Sequence, residues 1–259
     1  MLTVHVLGSG SGLPTTRRDT TSLLVRAMDG DTLVDCPGGV VHKLARVGVS
    51  PGGLRRVILT HSHVDHVYGL PHLIHAQAVA GVGTTLRLHA PRETLELVRG
   101  LVELHQLDGL SYPTMEFIPI PMDPGFCVSD VRGHQIRSTL VNHTGETVGL
   151  RFDAEGVSIA HSSDTGPCPA LVKLARGVDL LFHDCGGLHE QHDFFGSTHS
   201  SALEAGRIAA QAGASNLRLI HVGVEAENDE VALIEEARTA FEGPVEVAED
   251  GAIEYPKWS

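Results

Sequence analysis

Apolar and polar positions alternate in short blocks along the chain, and the blocks change period from strand to helix and back. Leu2 to Leu7 alternates and predicts an opening strand. Leu23 to Arg26 and Thr32 to Asp35 predict two more, joined by a hairpin turn at Asp29-Gly30. Val40 to Val47 reads as a short helix. Val57-Ile58-Leu59-Thr60 is an unbroken β-branched and aliphatic run behind the breakers Pro51-Gly52-Gly53, as expected of a buried strand. An amphipathic stretch follows at Leu73 to Ala80, then a strand at Thr85 to His89 and a helix at Glu93 to Leu104. The proline-rich segment from Tyr112 to Gly125 leaves room for one edge strand, Met115 to Ile120, and otherwise loop. Strands are expected at Gln135 to Val141, Thr147 to Phe152, Val157 to Ala160, Asp179 to Phe182 and Leu217 to Ile220. Ser201-Ala202-Leu203-Glu204 has the form of a capping box that opens a helix through Ala212, stopped by Gly213. A last helix is expected from Glu230 to Phe241, with strands at Val245 to Ala248 and Ala252 to Tyr255. Trp258 reads as a packing residue. The pattern is α/β, with no linker-like tract and no repeat of solenoid length, so a single domain over residues 1–259 is expected.

Composition narrows the function. A net charge of −13 argues against a general nucleic-acid-binding surface, which needs Lys and Arg to neutralise phosphates. The four cysteines form no Cys-x-x-Cys pair, so neither a disulfide framework nor a zinc ribbon is expected. The N-terminal residues lack a basic leader pattern and no apolar stretch reaches membrane-spanning length, so the expectation is a soluble, cytoplasmic protein without a membrane partner.

The chemistry concentrates in His61-Ser62-His63-Val64-Asp65-His66, directly after the Val57 to Thr60 run. In α/β folds, sites gather at the C-terminal ends of strands. Imidazole suits zinc, manganese and iron, and a carboxylate beside it suits a hydrolytic ion better than a closed structural site. His143, Asp164 and His221 each follow an apolar run, which is the physical argument that they converge on the same face. His199 precedes a helix N-terminus, where backbone donors favour an anion such as phosphate. The glycine-rich Gly8 to Gly12 is not followed by a helix. It reads as a tight loop of the fold, and a dinucleotide fingerprint is rejected.

The hexad resembles the signature of the metallo-β-lactamase-fold hydrolases. Leu7 to Pro14, Val34 to Gly39, Val141-Asn142-His143, Ser163-Asp164-Thr165, Phe182-His183-Asp184, Thr198 to Ser201 and Ile220-His221-Val222 follow in the order of the ribonuclease Z and phosphodiesterase branch, over nearly the whole chain. The resemblance implies an αββα sandwich of two mixed sheets flanked by helices. It also implies two divalent metal ions, zinc first and manganese as the alternative. His61, His63 and His143 would bind one ion, Asp65, His66 and His221 the other, and Asp164 would bridge. Two ions about 3.5–4 Å apart can generate a hydroxide near neutral pH and clamp attacking and leaving oxygens, with Asp65 orienting or deprotonating the water. His199 would be the general acid, oriented by Asp184 where ribonuclease Z enzymes carry Glu. His63 stands where diiron oxidoreductases of this fold tend to carry Glu, which favours hydrolysis.

The expected activity is hydrolysis of a small or nucleotide phosphodiester. Ribonuclease Z-type cleavage at the 3′ side of transfer RNA is the alternative, and thioester, lactone or sulfate-ester hydrolysis a further one. The transfer-RNA reading is disfavoured by the acidity and by the short stretch between His143 and Asp164, where ribonuclease Z enzymes carry a long arm that grips transfer RNA. The resemblance also implies a homodimer.

Overall fold

The structure, a computed structural model, describes residues 2–81 and 85–256; Trp258 lies outside them. The first half of the chain contains β1 (Thr3–Gly8), β2 (Ser22–Ala27), β3 (Gly30–Val34), α1 (Val40–Arg46), β4 (Arg56–Ile58), α2 (Val64–Val67), α3 (Leu70–Val79), β5 (Thr85–Ala90), α4 (Arg92–Leu104) and β6 (Thr114–Pro119). The second half contains β7 (Phe126–Val131), β8 (His134–Leu140), β9 (Val148–Ala154), β10 (Val157–His161), α5 (Pro169–Leu174), β11 (Leu180–Asp184), α6 (His192–Phe195), α7 (Ala202–Ala212), β12 (Leu217–Ile220), α8 (Glu230–Arg238), β13 (Val245–Val247) and β14 (Ile253–Glu254).

These strands form two seven-stranded mixed sheets, ordered β14-β1-β2-β3-β4-β5-β6 and β13-β12-β11-β10-β9-β8-β7. Each sheet begins as an antiparallel meander and continues as parallel strands, with the switch at β3–β4 in one and β10–β11 in the other. The duplication, invisible in the residues themselves, is therefore plain in the topology. Three apolar layers hold the sandwich together. One lies between the sheets around Phe152 and Phe182, one between the first sheet and α1, α3 and α4, and one between the second sheet and α5, α7 and α8. β4 shows how: Ile58 belongs to the layer between the sheets, while Val57 and Leu59 belong to the helix-side layer. A strand buried on both faces must be apolar throughout, which is why its sequence does not alternate.

The expected edge strand is β6, at the end of its sheet. β7, the edge of the other sheet, was not legible: a register irregularity between Cys127 and Ser129 breaks its alternation. α5 is too short, at six residues, to show a period. α8 ends at Arg238 rather than Phe241, because Thr239 and Ala240 turn back onto Glu236 and Ala237 in the tighter i→i−3 pattern. The strand expected over Gln135 to Val141 is β8, which stops at Leu140, and His143 sits in the loop beyond. The capping box forms: Ser201 Oγ accepts from Glu204 N, and Gly213 closes α7 in the left-handed region.

Candidate metal centre

The side chains singled out in the sequence meet at one end of the sandwich. β4 runs into the hexad, which turns into α2 after His63, so Asp65 and His66 lie on a one-turn helix. Asp164 follows β10, and His221 follows β12 with φ 62°, a left-handed conformation uncommon for a non-glycine residue. Donor atoms of His61, His63, His143 and Asp164 lie within 4.8 Å of one another, as do those of Asp65, His66 and His221. Asp164 stands between the groups. Its Oδ2 is 3.7 Å from His61 Nε2 and 3.3 Å from His66 Nε2, and its Oδ1 is 3.2 Å from His221 Nδ1. Asp164, His199 and His221 form a third close group, so His199 borders the cluster directly.

This donor set fits divalent ions. His61 Nε2, His66 Nε2 and Asp164 Oδ1 are buried and make no hydrogen bond, a costly arrangement unless another partner takes them. His63 Nδ1 and His143 Nε2 approach to 3.2 Å, near the edge of a tetrahedron around an ion with bonds of about 2.0–2.1 Å. The tautomers agree as well. Asp35 can only accept, so His66 Nδ1 donates to it at 2.8 Å; His143 Nδ1 donates to the Thr198 carbonyl at 2.9 Å. The Thr60 hydroxyl donates to Asp35 and is left to accept from His61 Nδ1 at 3.0 Å. In each case the second ring nitrogen is the one left for an ion, with a free lone pair at His61 and His143 and after loss of a proton at His66.

Electrostatics keep this set ready for ions. Burial holds His61 and His143 below the ordinary imidazole value, and His221 down at about 4, so all three stay neutral near pH 7. Burial alone would raise the Asp164 carboxyl, but His221 and His66 outweigh it and hold it well below the usual carboxylate range. Burial likewise pushes Asp65 up, and the His66 imidazole, whose Nε2 lies 3.3 Å from Asp65 Oδ2, more than reverses it. Burial works against charge on His66 too, yet Asp164 and Asp35 lift it well above the ordinary value when no ion is bound.

His199 Nδ1 lies 3.0 Å from Asp184 Oδ2, which also accepts from Thr165 N at 2.7 Å. The shorter side chain of Asp184 therefore reaches its partner. Burial lowers the His199 imidazole, but the Asp184 bond overcomes this and raises it to about 9. The glycine-rich loop borders the cluster: a Cβ on Gly12 would stand 3.3 Å from Asp65 Oδ2.

Sequence reasoning missed Asp35, although it lies in one of the quoted segments. It is fully buried, sits at φ 59° and accepts from Thr60 N, Thr60 Oγ1 and His66 Nδ1. The available signal was a lone acid closing an apolar strand, Leu33-Val34-Asp35.

A fold of two mixed sheets flanked by helices, with this centre at one end, defines a metallo-β-lactamase-fold hydrolase. The family model described as the beta-lactamase superfamily domain matches residues 31–222, and the chain belongs to that superfamily. It is a metal-dependent hydrolase. The chain is similar to a Ribonuclease Z of Mycobacterium bovis, 32% identical over 96% of both chains. It is also similar to a Ribonuclease Z of Myxococcus xanthus, 29% identical over 99% of this chain and 98% of that one. The metallo-β-lactamase-fold protein YhfI from Bacillus subtilis superposes with a TM-score of 0.85 at 25% identity, over 98% of both chains. The M. xanthus alignment runs over 308 positions against 259 residues here, so that relative carries segments with no counterpart in this chain.

Proposed function

We propose that this protein is a zinc-dependent phosphodiesterase of the ribonuclease Z type, acting on a phosphodiester bond of RNA. The observation that carries the reading is the His199–Asp184 pair beside the ligand cluster, in a chain similar along nearly its whole length to Ribonuclease Z proteins. A poor alkoxide leaving group needs an acid, whereas a thiolate does not. The net charge of −13 still supports the small-phosphodiester reading first expected, and so does the short stretch after His143. Between His143 and Asp164 the chain makes only β9, β10 and their turns, with no protruding arm.

His61, His63 and His143 would hold one ion, Asp65, His66 and His221 the other, and Asp164 both. Zinc bound there would polarise the phosphoryl group and make water a stronger acid. Asp65 accepts the proton of the attacking water. His199 gives the proton on Nε2 to the leaving oxygen as the bond to phosphorus breaks. Asp184 keeps that imidazole turned and charged through Nδ1, and Asp35 fixes His66.

The test is hydrolysis of a precursor transfer RNA and of bis(p-nitrophenyl) phosphate, with zinc or manganese restored after chelation. Metal-dependent cleavage of the precursor is expected. Release of nitrophenolate with the precursor left intact would replace this reading with the small-phosphodiester one. Inactivity on both would overturn phosphodiester hydrolysis.

A further inference from the structure

We propose that Thr21 is a positioning residue for His221: its hydroxyl dictates which ring nitrogen His221 offers to a metal ion. This rests on the reading of His221 as an ion ligand. Thr21 is 1% exposed and its Oγ1 lies 3.1 Å from His221 Nδ1, across 200 positions of sequence. The same hydroxyl donates to the Gly10 carbonyl at 2.9 Å. A hydroxyl has one hydrogen, and here it is already committed. Toward the imidazole Thr21 can only accept, so Nδ1 carries the ring hydrogen and Nε2 the lone pair. Asp164 Oδ1, though 3.2 Å from the same nitrogen, makes no hydrogen bond, which leaves Thr21 as the aligned partner.

The surroundings make the contact stiff. Val222, next to His221, donates from N to Ser9 O and accepts at O from Ser11 N. Gly10 bridges both Thr20 and Val222. The loop that supplies the acceptor for Thr21 thus also holds His221 in its left-handed backbone conformation. Thr60 does the same for His61, with Asp35 in place of the Gly10 carbonyl. Each proposed ion site therefore has one histidine set by a threonine whose hydrogen is spent elsewhere. Nothing in the local sequence marks Thr21, because its partner lies at the other end of the chain.

Zinc binding to the apo protein, measured by competition with a chromophoric chelator, tests the proposal on Thr21→Val, Thr21→Ser and His221→Ala. Valine keeps the shape and removes the acceptor; serine keeps the acceptor. Thr21→Val should weaken one zinc ion by about 10- to 100-fold and spare the other, and Thr21→Ser should stay near wild type. Long-range 1H–15N correlation on the zinc-free protein should show His221 protonated at Nδ1 in wild type and Thr21→Ser, and mixed tautomers in Thr21→Val. Wild-type zinc affinity in Thr21→Val, or equal weakening in Thr21→Ser, overturns the positioning role. If His221→Ala loses an ion while Thr21→Val does not, this proposal falls alone. If His221→Ala loses none, the ligand reading falls with it.

Discussion

Single side chains at this centre divide by what they touch. His66 Nε2 is buried without a partner, and its other nitrogen is already taken by Asp35. His66→Ala should therefore remove an ion and abolish turnover while the fold persists, checked by metal analysis and circular dichroism. His199 has a different role. His199→Ala should lower kcat by about 10²–10⁴-fold with both ions retained, because proton transfer is lost and the ligand sets are not. Loss of metal from that variant would make His199 a ligand instead, which its position beside Asp164 and His221 makes a sharp alternative. The Asp184 carboxylate raises the His199 imidazole, so Asp184→Asn should move the basic limb of the pH–rate profile to lower pH. At this scale the sequence was informative where chemistry is dense. His61, His63, Asp65 and His66 stand together in one hexad, whereas Asp35 and Thr21 act through hydrogen bonds that no local pattern announces.

Among the elements, α7 couples stability to the site. Its capping box begins two residues after His199, and the Thr198 carbonyl before it accepts from His143. Ser201→Ala should cost about 1 kcal/mol, read by urea denaturation, since an orphan helix donor loses its acceptor. Thr198 accepts from the proposed ligand His143 and directly precedes the proposed acid His199, so a shift there is felt by both. Element boundaries were legible where a breaker or a cap punctuates the chain, as at Gly213 and at the Met28–Asp29 turn before Gly30. They were not legible in β7, whose irregular register erases alternation, or in α5, which is shorter than two turns.

The whole molecule is two similar halves, and strands β4, β8, β10 and β12 lead to the His/Asp cluster at one end. At the other end, where β3, β4 and β8 begin, a buried cluster joins the sheets. Asp29 is in a salt bridge with Arg56 at 2.9 Å and hydrogen-bonds His134 at 2.5 Å. Burial raises the Asp29 carboxyl, but the His134 and Arg56 bonds outweigh it, so the folded value lies below 3.8. A depressed carboxylate stabilises above its unfolded value and loses that contribution as pH falls through the folded one. Stability should accordingly fall with acid below about pH 4, and Asp29→Ala should be destabilising and lose part of that acid dependence, the rest belonging to other depressed carboxylates such as Asp65 and Asp164, measured by urea denaturation across pH. The αββα architecture was legible through the order of the motifs, but the duplication was not, because the halves share topology rather than residues. The seam has a consequence for biosynthesis. Four of the seven proposed ligands come from the residues after β4, while His143, Asp164 and His221 follow strands β8, β10 and β12 of the second sheet. A nascent chain made from its N-terminus holds the hexad long before β12 delivers His221. On the proposed ligand set, full metal capture would mark the docking of the two halves, and hydrolytic competence would arrive as a late event in the life of each molecule.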